Sequence, residues 1–175
     1  MSMTIAGPFL ALPNVKYRDS FIAATREFQN EGVRPPWSYE ALTEHFDEYV
    51  TTIQEHSEQP LPGFVPQTSY WLIVNGYYAG TIDIRHRLTP ALRKFGGHIG
   101  YQIRPSMRQK GYGTLQLKLC LPYVWQMNID RALITCDDDN IGSQKIIEAN
   151  GGILQDKVDN GRAALTRRYW IDKPV

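Results

Sequence analysis

The stretch from Ile103 to Leu121 limits most narrowly what this chain can fold into. A β-like run from Gly97 to Arg104 enters it, basic and glycine residues turn it, and a leucine-rich helical run leaves it. Gly111 and Gly113 let the backbone approach a ligand closely, and the first-turn N–H groups of the following helix carry partial positive charge. Arg108 and Lys110 add full charges beside them. The pattern predicts an anion cradle fit for a phosphate or pyrophosphate. A Walker loop is excluded, because no Gly-Lys-Ser/Thr follows at the required spacing, and a dinucleotide fingerprint lacks its first glycine and its βαβ unit. A plain glycine-containing strand-to-helix turn with a basic surface stays open on this segment alone.

Length and charge narrow the field. With 175 residues, the chain suits a single domain, 1–175, with a core of its own. Nineteen basic against eighteen acidic side chains leave a formal charge of +1, which offers no broad field for nucleic acid. A small, local anionic ligand remains possible. Cys120 and Cys136 are too few for a disulfide framework, and the start lacks the basic and apolar regions of a signal peptide, so a cytoplasmic protein is expected. No stretch approaches the ~20 apolar residues of a membrane span.

Residues 1 to 16 read as an extended lead-in with room for one strand. A helix is predicted from Asp19 or Ser20 to Asn30, ahead of a break at Pro35-Pro36. A second helix is expected from Ser38, because Tyr39, Leu42, Phe46, Tyr49, Val50 and Ile53 form one apolar stripe. The proline-rich loop from His56 to Gln67 is too apolar for a simple linker and is a candidate lid, or else a surface loop stapled by Phe64. Asn75-Gly76 between Tyr70–Val74 and Tyr77–Arg87 is a hairpin signal. After a linker containing Pro90, a strand runs from His98 to Arg104. The helix after Gly113 should kink or end its regular part at Pro122. A buried strand from Arg131 to Cys136, a helix capped by Asp139 or Asn140, and two antiparallel strands complete the chain.

Alternation of apolar and polar residues also fixes a strand register. Pairing Ile84 with Ile99 and Ile82 with Tyr101 keeps apolar residues on one face. The other face then carries Thr81, Asp83, Arg85, His98 and Gln102, either solvated or functional.

From about Thr68 onward, the order of strands, cradle helix, strand, asparagine-opened helix and final hairpin resembles the GNAT acyltransferase superfamily. Arg108-Gln-Lys-Gly111-Tyr-Gly113 is similar to that family's Arg/Gln-x-x-Gly-x-Gly/Ala motif, and Asn140 with Ser143 matches its second motif. The implied fold is an α/β, GNAT-like, mostly antiparallel twisted sheet flanked by helices, with a cofactor-binding core at about 68–158. The resemblance implies acetyl-CoA as co-substrate. Gln102 and Ile103 would lend main-chain groups to the pantetheine arm, and Arg108, Gln109, Lys110, Gly111, Tyr112, Gly113 and Thr114 would surround the pyrophosphate. Asn140 and Ser143 would touch the far side of the arm. Where many members carry a tyrosine that protonates the departing thiolate, this chain has Ile147, which cannot donate a proton.

The implied activity is direct transfer of acetyl to a primary amine of an unnamed small molecule or peptide. Candidate base residues are His98, which titrates near neutrality when unperturbed, and Asp83, which either orients it or acts itself through water. Asp137-Asp138-Asp139 lacks calcium-loop spacing and zinc partners, so no metal is expected. A second class stays open: an acyl-CoA-binding sensor or interaction protein with a degenerate catalytic centre. A plain phosphate binder on the same loop is a third. Trp170 near the C terminus leaves room for a homodimer.

Overall fold

The computed structural model describes residues 7–34, 37–161 and 163–175, so the expected break at Pro35-Pro36 lies outside the described residues. The lead-in supplies one strand, β1 (Phe9–Ala11), and a 3₁₀ turn at Val15–Tyr17. Helix α1 (Arg18–Asn30) follows and stops where Gly32 takes a left-handed φ of 80°. The apolar stripe after Ser38 is not one helix. Ser38 caps α2 (Tyr39–Glu44) by accepting the Ala41 N–H, and His45, at φ −127° and ψ 39°, separates it from α3 (Phe46–Glu55). The break places Asp47 and Glu48 in the first turn of a new helix, where its dipole favours carboxylates.

Strands β2 (Gln67–Val74) and β3 (Tyr77–Arg85) pair around the Asn75-Gly76 turn, both of whose residues have positive φ. The linker to the next strand contains a short helix, α4 (Pro90–Lys94). Thr89 accepts the Leu92 N–H as its cap and Pro90 sits at its start. Strand β4 (Ile99–Ile103) pairs with β3 in the expected register, Ile84 with Ile99 and Asp83 with Gly100. Helix α5 (Tyr112–Gln126) runs through Pro122 without ending. Both Pro122 and Lys118, whose carbonyl loses its partner, lie on its less buried side, while Leu117, Cys120 and Val124 on the other side are fully buried. Packing on the sheet thus overrides the local defect. The chain ends with β5 (Arg131–Asp137), α6 (Ile141–Ala149), β6 (Ile153–Val158) and β7 (Thr166–Asp172).

The seven strands order β1-β2-β3-β4-β5-β7-β6, antiparallel except where β4 meets β5. One face is covered by α5 and α6, with Leu117 of α5 packed over Ile82, Ile84, Ile99 and Ile134. The other is covered by the first three helices over Trp71, Ile73 and Tyr78. Trp170 donates its indole N–H to Gln155 and lies under Arg131, 4.8 Å from the ring centre. No helix among the described residues is long and apolar enough to cross a membrane.

Candidate active site

The parallel junction of β4 and β5 holds only at its start, Ile99 beside Ile134, and the strands then diverge. On the other side of β4, Arg85 N–H donates to His98 O and Arg104 N–H to Ala79 O. Alternation along the strand then turns the main-chain groups of Tyr101 and Ile103 into the gap and those of Gln102 toward β3. Gln102 therefore offers its side chain to the site, not the backbone groups expected of it. The Ile103 carbonyl is already occupied, since Arg108 Nε donates to it at 3.1 Å and the same guanidinium pairs with Glu31, just past the end of α1, at 2.9 Å.

Below this gap lies the cradle. Gly111 opens α5 at φ 80°, and Gln109 is also left-handed at φ 60°. No side chain caps the helix, so the N–H groups of Tyr112, Gly113 and Thr114 face outward without intrahelical acceptors. Helix α6 differs, because Asn140 Oδ1 accepts the Ser143 N–H. A cavity of about 630 Å³ follows the cradle, bordered by Gln102, Ile103, Arg108, Gln109, Gly111, Gly113, Thr114, Asn140 and Ser143. Two of the expected residues turn elsewhere. Lys110 Nζ folds back to the Ser106 carbonyl at 2.8 Å, and the Tyr112 ring packs on the apolar cluster of Leu72 and Ile103. The glycines fit a pyrophosphate-sized ligand for different reasons. Nothing lies within 4 Å of a Cβ built on Gly111, whereas a Cβ on Gly113 would come 2.5 Å from Ile146 Cδ1. Gly111 leaves open space, and Gly113 lets α6 approach α5. Asn150, which sequence reasoning missed, ties the same helices by donating to Thr114 O and Ile146 O.

Across Tyr101 and Gln102 is a second cleft, of about 330 Å³. Its walls are aromatic: Phe21 meets Tyr49 at 5.3 Å and Tyr78 edge-on at 4.8 Å, and Trp37 meets Tyr49 at 5.5 Å. Asp83 is the carboxylate in this cleft. Burial raises its pKa, opposed by the Ser69 hydroxyl, which donates to Oδ1 at 2.5 Å, and by Arg85 and His56. Tyr101 borders both cavities; its ring packs on the cluster of Ile82 and Leu117, and its hydroxyl donates to Ser143 O at 3.4 Å. Burial pushes the Tyr101 pKa up to about 12.

His98 is placed differently from Asp83. Its Nδ1 accepts the Leu133 N–H at 2.9 Å and its own N–H donates to Leu133 O at 2.7 Å, so the residue stitches β4 to β5. Burial, with Arg93 and Arg85 nearby, lowers its pKa to about 4. The His98 ring does not border the Asp83 cleft. In the candidate lid, Phe64 is 71% exposed and staples nothing, while Val65 is buried and His56 and Leu61 border a further recess beside Asp83. Asp138 pairs with Lys157 and Arg167. Among the described residues, no group of three or more His, Cys, Asp or Glu is placed to hold a metal ion.

A splayed sheet, an uncapped glycine-opened helix and an adjoining carboxylate cleft are the working parts of an acyltransferase. Residues 14–153 match the acetyltransferase (GNAT) domain family, and the chain belongs to that family of acetyltransferases. Its fold is similar to that of a Salmonella typhimurium acetyltransferase that modifies the N-terminal serine of ribosomal protein L7/L12, at 15% identity and TM-score 0.66 over 97% of this chain and 96% of that one. It is also similar to Mycobacterium smegmatis RimJ in complex with CoA-disulfide, at 14% identity and TM-score 0.71 over 96% and 83%. The microcin C7 self-immunity acetyltransferase MccE, in complex with acetyl-CoA and AMP, matches at 16% identity and TM-score 0.66 over 95% and 92%. Among curated proteins, no sequence matches.

Proposed function

We propose that the chain moves acetyl from acetyl-CoA directly to a primary amine held beside Asp83. The observation that carries this reading is that Tyr101 and Gln102 wall both the cradle cavity and the Asp83 cleft, so donor and acceptor can meet across them. When bound, acetyl-CoA supplies a thioester whose carbonyl carbon an amine attacks. Its pyrophosphate would be held by the first-turn N–H groups of α5 beside Gln109 and Gly111, and its amide-rich arm by the open edge at Tyr101 and the Ile103 N–H, with Asn140 and Ser143 opposite.

Asp83 accepts the proton that the ammonium must lose. Its raised pKa brings it nearer to neutrality than an ordinary carboxylate, which suits a general base. The aromatic walls favour a cationic head group approaching that carboxylate. Tyr101 keeps its proton at neutral pH, because its pKa lies at about 12. It can therefore donate a hydrogen bond across the gap without ionising. His98 we assign to the fold, since its acceptor nitrogen is committed to Leu133. The acceptor class we leave as a small-molecule or peptide amine; the Salmonella relative acts on a protein N terminus. Two unpaired, buried cysteines suit a reducing compartment, which supports a cytoplasmic location.

Calorimetry with acetyl-CoA, followed by thiol release against a panel of primary amines, tests the reading. Saturable binding with amine-dependent thiol release is the expected result, and absence of acetyl-CoA binding overturns it. The second reading, a CoA-binding sensor, rests on Ile147, which is fully buried at the motif's tyrosine position. Binding without turnover across the panel selects that reading.

A further inference from the structure

We propose that the acceptor carries a carboxylate as well as its amine, and that Arg85 binds this carboxylate while Asp83 holds the ammonium. The inference rests on the acyl-transfer reading above and names its substrate class. Asp83 and Arg85 lie two residues apart on one face of β3, a backbone separation of about 7 Å. Each is restrained by a different partner. Asp83 receives the Ser69 hydroxyl on one oxygen, and Arg85 gives Nη1 to the carbonyls of Gly96 at 3.0 Å and Gly97 at 3.2 Å. No ion pair joins the two among the described residues, and the second Asp83 oxygen and Arg85 Nε and Nη2 have no hydrogen-bond partner there.

The space between them is kept open by Gly100, which stands opposite Asp83 in the register. A Cβ at Gly100 would come 3.3 Å from Arg85 Nη2, so the glycine leaves that edge of the guanidinium bare. Gly100 and Tyr101 border both the Asp83 cleft and a cavity of about 470 Å³ over Arg85, so the two adjoin at these residues. An acceptor can lie along this path with its cationic end in the aromatic cleft and its anionic end on the guanidinium. An α-amino acid carries both charges on one carbon and is too short to reach both. A chain of several bonds between amine and acid spans them. Asp137 borders the Arg85 cavity and opposes a doubly charged phosphate more than a single carboxylate.

The test compares γ-aminobutyrate and δ-aminovalerate with their neutral amides, and phosphoethanolamine with ethanolamine, as acceptors for wild-type protein, Arg85→Gln and Arg85→Lys. The acids should exceed their amides in kcat/KM by about tenfold or more in wild type, the range of a charge-assisted hydrogen bond. Arg85→Gln should bring that ratio to about one, and Arg85→Lys should keep part of it. A wild-type ratio of one overturns the proposal. So does a ratio that survives in Arg85→Gln while both acceptors slow equally, the mark of a purely structural arginine. A larger preference for phosphoethanolamine over ethanolamine than for acid over amide overturns the carboxylate assignment. Calorimetry of the same pairs on CoA-loaded protein reads the ratio as affinities. Loss of all turnover therefore counts against the acyl-transfer reading, while the affinity ratio still decides the role of Arg85.

Discussion

The Ser69 hydroxyl on β2 donates to Asp83 Oδ1 on β3 at 2.5 Å, leaving the other carboxylate oxygen to the aromatic cleft. This bond lowers a pKa that burial raises, and Arg85 and His56 act in the same direction as Ser69, while Tyr49 and Tyr78 face the group without charge. Activity that needs ionised Asp83 should rise with pH through its elevated pKa. Ser69→Ala removes a lowering influence, so the acid limb of kcat/KM should move to higher pH. Asp83→Asn should lower kcat/KM by about 10²–10⁴-fold and leave CoA affinity near wild type. An unchanged pH profile in Ser69→Ala would count against Asp83 as the base.

The same raised pKa has a stability cost of definite sign. Asp83 binds its proton more tightly when folded than when unfolded, so its contribution is most favourable below the unfolded value of 3.8 and is lost as pH rises through the folded value. Asp83→Asn should therefore raise Tm at neutral pH while reducing activity, and the gain should vanish below about pH 3.8. Thermal denaturation across that range checks it. Equal melting at neutral pH would mean that the buried carboxylate is compensated in the native state.

His98 predicts the opposite slope in a different window. Its folded pKa of about 4 lies below the ordinary 6.5, so neutral His98 contributes fully above pH 6.5 and its contribution falls as pH drops toward 4. The loss is complete once the folded state carries the proton. His98→Asn, which keeps an acceptor for Leu133 N–H, should flatten the urea midpoint between pH 6.5 and pH 4. A wild-type midpoint that is flat in that interval would remove the effect.

Much of this fold was legible because its signals are local. Asn75-Gly76 set the hairpin, and period-two alternation set the β3–β4 register that puts Asp83 opposite Gly100. Thr89-Pro90 was an equally local helix start hidden inside a supposed linker. Pro122 shows the reverse case, a sound local rule overridden by burial of Leu117, Cys120 and Val124 on the sheet. At the site, the identity of His98 was visible but its ring direction was not, because its partner Leu133 belongs to a strand paired only in the folded chain. Likewise, the clamp on Arg85 depends on a Gly96-Gly97 loop that packs against Leu133, where a side chain on Gly97 would strike the backbone. The aromatic cleft draws Phe21, Tyr49 and Tyr78 from three elements, which no spacing along the chain reveals.

The cradle makes a last prediction through Gly113 and Ile146. A Cβ on Gly113 would lie 2.5 Å from Ile146 Cδ1 and 3.2 Å from Cγ1, so Gly113→Ala must move the Ile146 side chain out of its present position or push α6 away from α5. Overpacking of this kind costs about 1–3 kcal/mol. It should also widen the cavity on whose two sides Thr114 and Ser143 stand, and so weaken CoA binding. Ile146→Val deletes the clashing Cδ1 and alone costs about 0.5–1.5 kcal/mol. Combined, the two substitutions should be markedly less damaging than their sum, because each relieves the other's defect. Urea midpoints and CoA affinities for the four members of this cycle measure the coupling. Simple additivity in both would mean that the helices separate independently of this contact, and that Gly113 serves the cradle by some route other than close approach of α6.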